Sequence, residues 1–300
     1  MRSEKNIGVI YAVIAYTLWG ILPLYWKMVD GVFSMEILAN RIVWAFTFTI
    51  IIIGVTKQWE ELKCIVKNKK QRFYILIASI LIAFNWGLYI WAVNSDKIVD
   101  ASLGYYINPL LAVALGVMIF KEKLSYLQGG ALLVAAIGVI IKTIQYGKIP
   151  WISLGLAISF ALYGAVKKSI TANSIVGLTL ETTMLTPIAL IYIASRQLNG
   201  VSAFQTEGIV VNLMLIGAGV VTAIPLLLFA SGARRLPLSI LGFTQYISPT
   251  ISLLLGVFVY QESFTSVDMI SFCLIWGALV IYSISQMNQV RSKNYIKQMN

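Results

Sequence analysis

Two ionisable residues interrupt long apolar stretches and are the first candidates for chemistry. Arg41 lies about seven residues into the stretch 34–55, and Glu181 lies about six residues into the stretch 175–195. A charge in mid-membrane costs about 2.5–3.5 kcal/mol on insertion scales, so such residues are functional candidates. We expect Arg41 and Glu181 to bind a charged solute, to take up and release protons, or to form a buried structural pair.

The partner of Arg41 is open at this point. Helix rise places Arg41 and Glu181 roughly 11 Å apart in depth, so a direct bond between them requires tilt or long reach. Glu36 lies nearer the end of the same stretch, and Arg41 can extend toward it along its alkyl stem.

A second set of candidates lies near the midpoints of apolar stretches. Polar groups in hydrocarbon need partners and therefore face the bundle interior. Aromatic walls with a few amides suit an amphipathic organic solute, although helix–helix contacts would use the same residue types. The candidates for substrate binding, besides Arg41 and Glu181, are Trp19, Asn85, Tyr106, Asn108, Tyr163, Gln245, Tyr246 and Ser248.

Two prolines occupy matching places in two apolar stretches. Pro109 and Pro249 each lie about ten residues into a stretch, at roughly 15 Å depth by helix rise. A mid-helix proline frees the carbonyl four residues earlier, which belongs to Tyr105 and Gln245 respectively. Helix breaks at corresponding places in the first and second halves of a chain point to a transport site. The alternative is that each proline only kinks its helix and that neighbouring helices accommodate the kink.

The residue types that the sequence lacks narrow the chemistry. The sequence contains no histidine, which argues against Ser-His-Asp catalysis, histidine proton relays and most zinc sites. Cys64 and Cys273 are too far apart in unlike contexts to indicate a disulfide framework or a metal site. Nucleotide-binding and hydrolase motifs are missing too. We therefore predict a protein that is not an enzyme and has no metal or cofactor.

The composition is that of a membrane protein. Of 300 residues, 59% are apolar and 12% are charged, against roughly 25% charged in soluble domains. A membrane span needs about 20 apolar residues. The apolar stretches predict an all-α membrane protein with ten transmembrane helices at about 7–27, 34–55, 73–94, 99–120, 125–144, 151–167, 175–195, 208–231, 238–260 and 265–287.

Basic residues predict the orientation. The loops on one side, with both termini, carry 17 Lys and Arg residues against 5 in the opposite loops. The positive-inside rule then places both termini in the cytoplasm. The net charge of +11 is explained by this topology signal rather than by nucleic-acid binding. We interpret the charged segment 57–72 as an amphipathic surface helix rather than a partner-binding site.

The fourth and ninth stretches repeat one another with a shift of 140 residues. Residues 103–125 align with 243–265, sharing a Tyr-Ile-x-Pro pattern, a glycine, and Glu122 or Glu262 in the following turn. A weaker match joins 18–20 to 162–164. Each half, 1–145 and 146–300, then holds five spans, so the second half is inverted. Inverted repeats are typical of alternating-access transporters.

Two smaller features have structural explanations. Helix capping or turn formation explains Glu122 and Glu262 as well as gating does. A GxG pattern at 217–219 lies inside an apolar stretch, where it indicates helix packing rather than nucleotide binding.

These segments resemble a known group. WGILPLYWK (19–27), EILANRIVW (36–44), NWGLYIWAVN (85–94), DASLGYYINPLLAVALG (100–116) and GFTQYISPT (242–250) are similar to the RarD group, the chloramphenicol-sensitive protein type, of EamA-type transporters in the drug/metabolite transporter superfamily. The resemblance covers almost the whole chain. It implies a ten-helix carrier of two EamA-like five-helix repeats in the cell membrane, exporting small organic solutes.

The functional prediction is a secondary transporter that exports small metabolites or drugs by alternating access. Its expected partners are the lipid bilayer, a small organic solute and, in one hypothesis, protons. The alternative is a membrane-embedded enzyme or receptor without transport activity. Without histidine the spans hold no nucleophile with a base, and the longest loop is short for an output domain, so we prefer the transporter. Solute identity, energy coupling and oligomeric state are left open by the sequence.

Overall fold

The computed structural model describes residues 2–120, 125–167, 169–233, 235–236 and 244–299, and these ranges contain helices, turns and loops but no strand. A π-helical turn, Leu255–Val259, follows the twelfth helix. The helices are α1 Arg2–Gly20, α2 Leu22–Lys27, α3 Ser34–Thr56, α4 Trp59–Lys67, α5 Lys69–Asn94, α6 Ile98–Phe120, α7 Tyr126–Tyr146, α8 Trp151–Lys167, α9 Ser174–Leu198, α10 Ala203–Thr206, α11 Ile209–Ala233, α12 Ile247–Leu254 and α13 Ser266–Met299.

The long helices follow the predicted apolar stretches. Within the described residues, seven helical stretches are long and apolar enough to cross a bilayer, and 151–167 and 247–259 are shorter apolar helices. α6 adds a further apolar helix of 23 residues. The chain is therefore a multi-pass, all-helical membrane protein.

Helix boundaries are encoded locally. Asn68 accepts hydrogen bonds from the first main-chain N–H groups of α5, and Asn173 does the same for α9. Ser125 and Gln128 form a capping box at the start of α7. These side chains satisfy N–H groups that have no partner within the helix. Pro23 lies at the start of α2, where its missing N–H is not needed.

The prolines do not break both predicted helices. α6 continues through Pro109, so the predicted helix break there is wrong, because one proline removes a single backbone hydrogen bond and packed neighbours hold the helix together. Pro249 lies in the first turn of α12, directly after a turn at 245–246. The chain is interrupted before Pro249 rather than at it, since a proline fits the first turn of a helix.

The core forms where helices distant in sequence pack together. α3 packs against α9 and α11, α6 against α8, and α7 against α13. At the α3–α11 contact, a Cβ atom at Gly219 would overlap the main chain of Trp44. The prediction that the 217–219 glycine pattern serves packing is therefore confirmed.

The loops group into two faces. The face that we call the basic face holds α4, where Glu61 and the preceding residue Gln58 bind Asn173. It also holds the pair Arg235–Glu4. The helix α4 confirms the surface helix predicted in 57–72. Lys121, Lys123, Lys168 and Arg234, four basic residues used for the predicted orientation, lie outside the described residues.

The other end of the bundle is called the opposite face. Lys27 pairs with Asp96 there at 2.5 Å. Lys142 lies between Asp100 and Asp268, at 2.6 and 3.1 Å. Loops predicted to share a side are thus in contact with one another at both ends.

Candidate functional site

Arg41 lies at the centre of the candidate site. Its side chain is buried, and its Nε donates to the Thr222 hydroxyl of α11 at 2.9 Å. The guanidinium carbon is 4.0 Å from the Trp86 ring centroid and 5.1 Å from that of Trp26. Over the described part of the chain, no carboxylate forms an ion pair with Arg41. Arg41 is therefore held by indole faces and a hydroxyl instead of an acid.

A polar network surrounds Arg41. The hydroxyls of Tyr89 and Tyr105 lie close enough to interact electrostatically with it. Tyr105 donates to Asn85 Oδ1 at 3.3 Å, and Asn85 Nδ2 donates to the Leu156 carbonyl at 3.0 Å. Asn85 of α5 thus forms hydrogen bonds to α6 and α8, as expected for a polar group facing the bundle interior.

The network also reaches the second half of the chain. Tyr89 lies close enough to Ser252 of α12 for the two hydroxyls to interact. Ser252 in turn donates to the Gly20 carbonyl of α1 at 3.0 Å. Together with the Arg41–Thr222 bond, these contacts join α1, α3 and α5 to α11 and α12. We call this set the central polar cluster; it consists of Arg41, Asn85, Tyr89, Tyr105, Thr222 and Ser252.

Glu181 is paired, but not with Arg41. Its fully buried carboxylate accepts a hydrogen bond from Tyr163 at 3.0 Å and forms an ion pair with Lys167. Lys167 is the last residue of α8, where it can extend along its stem from the basic face. Of the three alternatives for Arg41 and Glu181, the buried structural pair is therefore not formed, because Lys167 neutralises the acid.

Glu36 has other partners too. Its carboxylate accepts from Arg196 Nε at 3.1 Å, from the Ser202 hydroxyl at 3.0 Å and from the Ala203 N–H at 2.7 Å. The alternative that Glu36 holds Arg41 is wrong for this reason. Both candidate acids are neutralised locally, and Arg41 keeps its charge without a counter-ion among the residues described.

The remaining aromatic candidates form two groups. Tyr106 and Tyr246 stack with ring centroids 6.2 Å apart, and the Tyr106 hydroxyl is hydrogen-bonded to Thr250. The ring of Trp19 packs against the rings of Tyr16 and Phe229, with centroid distances of 5.4 and 5.7 Å. These contacts join α6 to α12 and α1 to α11, so both groups lie where the two halves meet.

Four other predicted residues are not part of the central polar cluster. Asn108, Gln245 and Ser248 are half-buried. Glu262 accepts from the N–H groups of Ile98 and Val99 at 2.7 and 2.8 Å and so caps α6. Burial raises the pKa of this Glu262 carboxyl, and the two backbone hydrogen bonds oppose the shift. Its predicted counterpart, Glu122, lies outside the described residues.

Sequence reasoning missed several residues of the site. Tyr89 lies one helical turn after Asn85, a spacing that places both on one face. Thr222 carries a single hydroxyl within an apolar stretch, and Lys167 lies at the end of its stretch, where a basic residue is expected to face a loop. The missed residues are Trp26, Trp86, Tyr89, Lys167, Thr222 and Ser252.

Comparisons with known proteins place the chain in a family. Residues 6–144 match the EamA-like transporter family. A Bacillus subtilis (strain 168) protein named uncharacterized transporter YojE is 47% identical over 295 residues, covering 97% of this chain and 98% of that protein. Protein RarD of Escherichia coli (strain K12) is 41% identical over 280 residues, covering 93% and 95%. Protein RarD of Streptomyces exfoliatus is 37% identical over 290 residues, covering 97% and 92%.

A solved structure agrees on the fold. A protein crystal structure aligns with 91% of this chain and 96% of its own at a TM-score of 0.55 and 16% sequence identity. At that identity the likeness concerns the fold alone, whereas the sequence relatives establish the family. The chain belongs to the RarD group of the EamA-like transporter family and is a multi-pass membrane transporter.

Proposed function

We propose that the chain is a secondary transporter that exports small organic solutes across the cytoplasmic membrane, with both termini in the cytoplasm. It works by alternating access between two inverted five-helix repeats, residues 1–145 and 146–300. The observation that carries this proposal is the central polar cluster, in which buried polar side chains of the two halves bond to each other deep inside an apolar bundle. Solute sites of such carriers lie at the interface between repeats.

Helix packing supports the repeat. Let α1, α3, α5, α6 and α7 correspond in order to α8, α9, α11, α12 and α13. α1 then packs against α11 and α12 as α8 packs against α5 and α6. α3 packs against α9, α6 against α12, and α7 against α13, so each contacts its own counterpart. A two-fold axis in the membrane plane produces this arrangement. The family match, which ends at residue 144, is consistent with the proposed boundary.

The site residues follow from this proposal. Arg41 and Asn85 bind solute within the central polar cluster, and Trp19, Tyr106, Tyr246, Gln245, Asn108 and Ser248 line the path between the halves. Tyr163 and Glu181 lie beside it, with Lys167. Glu181 is the acid through which protons couple to transport in the proton-driven form of the proposal. Pro249 marks the interrupted ninth span, and Pro109 the corresponding place in α6.

Transport by the purified protein tests the proposal. Liposomes containing the protein are loaded with a small-molecule extract of bacterial cells, and released compounds are identified by mass spectrometry with and without a pH gradient. We expect saturable release of a small set of compounds that protein-free liposomes retain. Cells that overproduce the protein should contain less of the same compounds, and cells lacking it more. Release equal to that of protein-free liposomes for every compound contradicts the proposal.

A further inference from the structure

Two buried donors without an acceptor lie beside each other in the central region. Nη1 of Arg41 and Nε1 of Trp26 have no hydrogen-bond partner among the residues that the structure describes. Arg41 is 4% exposed and Trp26 is fully buried. The Trp26 ring centroid is 5.1 Å from the guanidinium carbon, so the two donors belong to one locality. Buried donors normally have a partner, and an exception calls for an explanation.

The charge of this locality is positive, and no carboxylate among the described residues compensates it. Glu36 is bound by Arg196 and Glu181 by Lys167, so neither carboxylate is available to Arg41. The hydroxyl groups nearby, on Thr222, Tyr89 and Tyr105, carry no charge at neutral pH. A cationic solute would be repelled here, and a neutral solute would leave the guanidinium without a counter-ion. An anion would accept hydrogen bonds from the two unpaired donors and would also neutralise the charge of the guanidinium.

Geometry selects the chemical class further. The faces of Trp86 and Trp26 flank the guanidinium. The rings of Tyr89 and Tyr105 pack edge to face, with their centroids 5.7 Å apart. A planar carboxylate matches the guanidinium fork, and an apolar or aromatic body attached to it suits the surrounding rings. The amine site that a zwitterionic solute would need is not provided by Glu181, since Lys167 and Tyr163 already occupy that acid.

We propose that Arg41 Nη1 and Trp26 Nε1 form the oxyanion subsite of the transporter, so that its solute is a small organic anion with a carboxylate and an apolar body. This inference rests on the proposed function and names the solute class of the same site. Arg41 binds the solute directly, Thr222 positions the guanidinium through Nε, and Trp26 contributes a second donor. The role of Trp86 is to hold the guanidinium by its ring face.

Binding to purified protein in detergent tests the subsite with four probes that share one aromatic ring: N-acetylphenylalanine (anionic), N-acetylphenylalaninamide (neutral), phenylalaninamide (cationic) and phenylalanine (zwitterionic). Binding is measured by tryptophan fluorescence and by the shift in unfolding temperature. We expect the anion to bind at least about tenfold more tightly than the other three, as one charge-assisted contact implies. Inorganic phosphate, tested in parallel, reports whether the oxyanion alone suffices.

Variants assign the binding to the two donors. Arg41→Gln should weaken binding of N-acetylphenylalanine about 100-fold, because a buried charge contact is lost. Arg41→Lys, which keeps the charge but not the fork, and Trp26→Phe, which keeps an aromatic ring but loses the indole N–H, should each weaken it about tenfold. Arg72→Gln and Trp91→Phe are matched controls at exposed positions, and they should bind as the wild type does.

The outcomes separate this inference from the proposed function. Equal affinity for all four probes, or unchanged anion binding in both Arg41→Lys and Trp26→Phe, overturns the anion subsite even if liposomes show transport of other solutes. If Arg41→Gln fails to fold, those two variants decide. Selective anion binding that depends on Arg41 but occurs without any release from liposomes supports the subsite and contradicts the proposed export function. Binding of phosphate alone overturns the assignment of an organic carboxylate.

Discussion

The ion pair between Lys167 and Glu181 should respond very unequally to removal of one partner or the other. The Glu181 side chain is 0% exposed, whereas that of Lys167 is 30% exposed at the end of α8. Lys167→Met leaves a buried carboxylate with the Tyr163 hydroxyl as its remaining partner. Breaking a buried pair in this way costs about 3–5 kcal/mol.

Removal of the acid is expected to cost much less. In Glu181→Gln, the amide still accepts a hydrogen bond from Tyr163, and Lys167 can extend its ammonium toward water at the basic face. The loss is then that of one hydrogen bond to a charged group, about 1.5–3 kcal/mol. The double variant Lys167→Met/Glu181→Gln has no unpaired charge, so it should be more stable than Lys167→Met alone.

Thermal unfolding of the purified protein in detergent, followed by tryptophan fluorescence, measures these differences. At about 2 °C per kcal/mol for a chain of this size, Lys167→Met should lower the unfolding temperature by about 6–10 °C and Glu181→Gln by about 3–6 °C. A Glu181→Gln protein that is as unstable as Lys167→Met, or a double variant worse than either, would refute the reasoning.

Four further outcomes are expected. An impermeant maleimide added outside intact cells should leave exposed Cys64 unlabelled in a Cys273→Ser background, and labelling from outside would reverse the proposed orientation. Gly219→Ala should cost about 1–3 kcal/mol by overpacking the α3–α11 contact, whereas Gly164→Ala, with open space at the Cβ position, should be nearly neutral in the same unfolding assay. In liposomes, Glu181→Gln should still exchange solute but lose its response to a pH gradient, and a normal response would exclude Glu181 as the coupling acid. Single cysteines along the proposed path should react with polar thiol reagents and be protected by solute; the positions are Tyr105, Asn108, Gln245 and Ser248. The control Ala131→Cys, at a fully buried site, should not react. The path is contradicted if all four cysteines along it are inert.

Features that depend only on residues close together in the sequence could be predicted from it. The helix 151–167 has the predicted bounds, and α3 differs from its predicted stretch by one residue. Such agreement is expected because insertion of a helix in a bilayer depends on the hydropathy of its own 20 or so residues. The amphipathic helix α4 and the packing glycine Gly219 were identified for the same local reason, and loops predicted to share a side are in contact.

The partners of the buried charges were decided by the tertiary structure. Arg41, Glu36 and Glu181 were recognised as unusual from sequence, but their pairing was not. Glu181 binds Lys167, which had seemed a loop charge, and Glu36 binds Arg196, 160 positions away. Hydropathy gives the depth of a residue along its helix but neither the rotation of that helix nor its neighbours. Both are set by the packing of helices distant in sequence, and among the described residues that packing leaves Arg41 beside Trp26 without an acid partner.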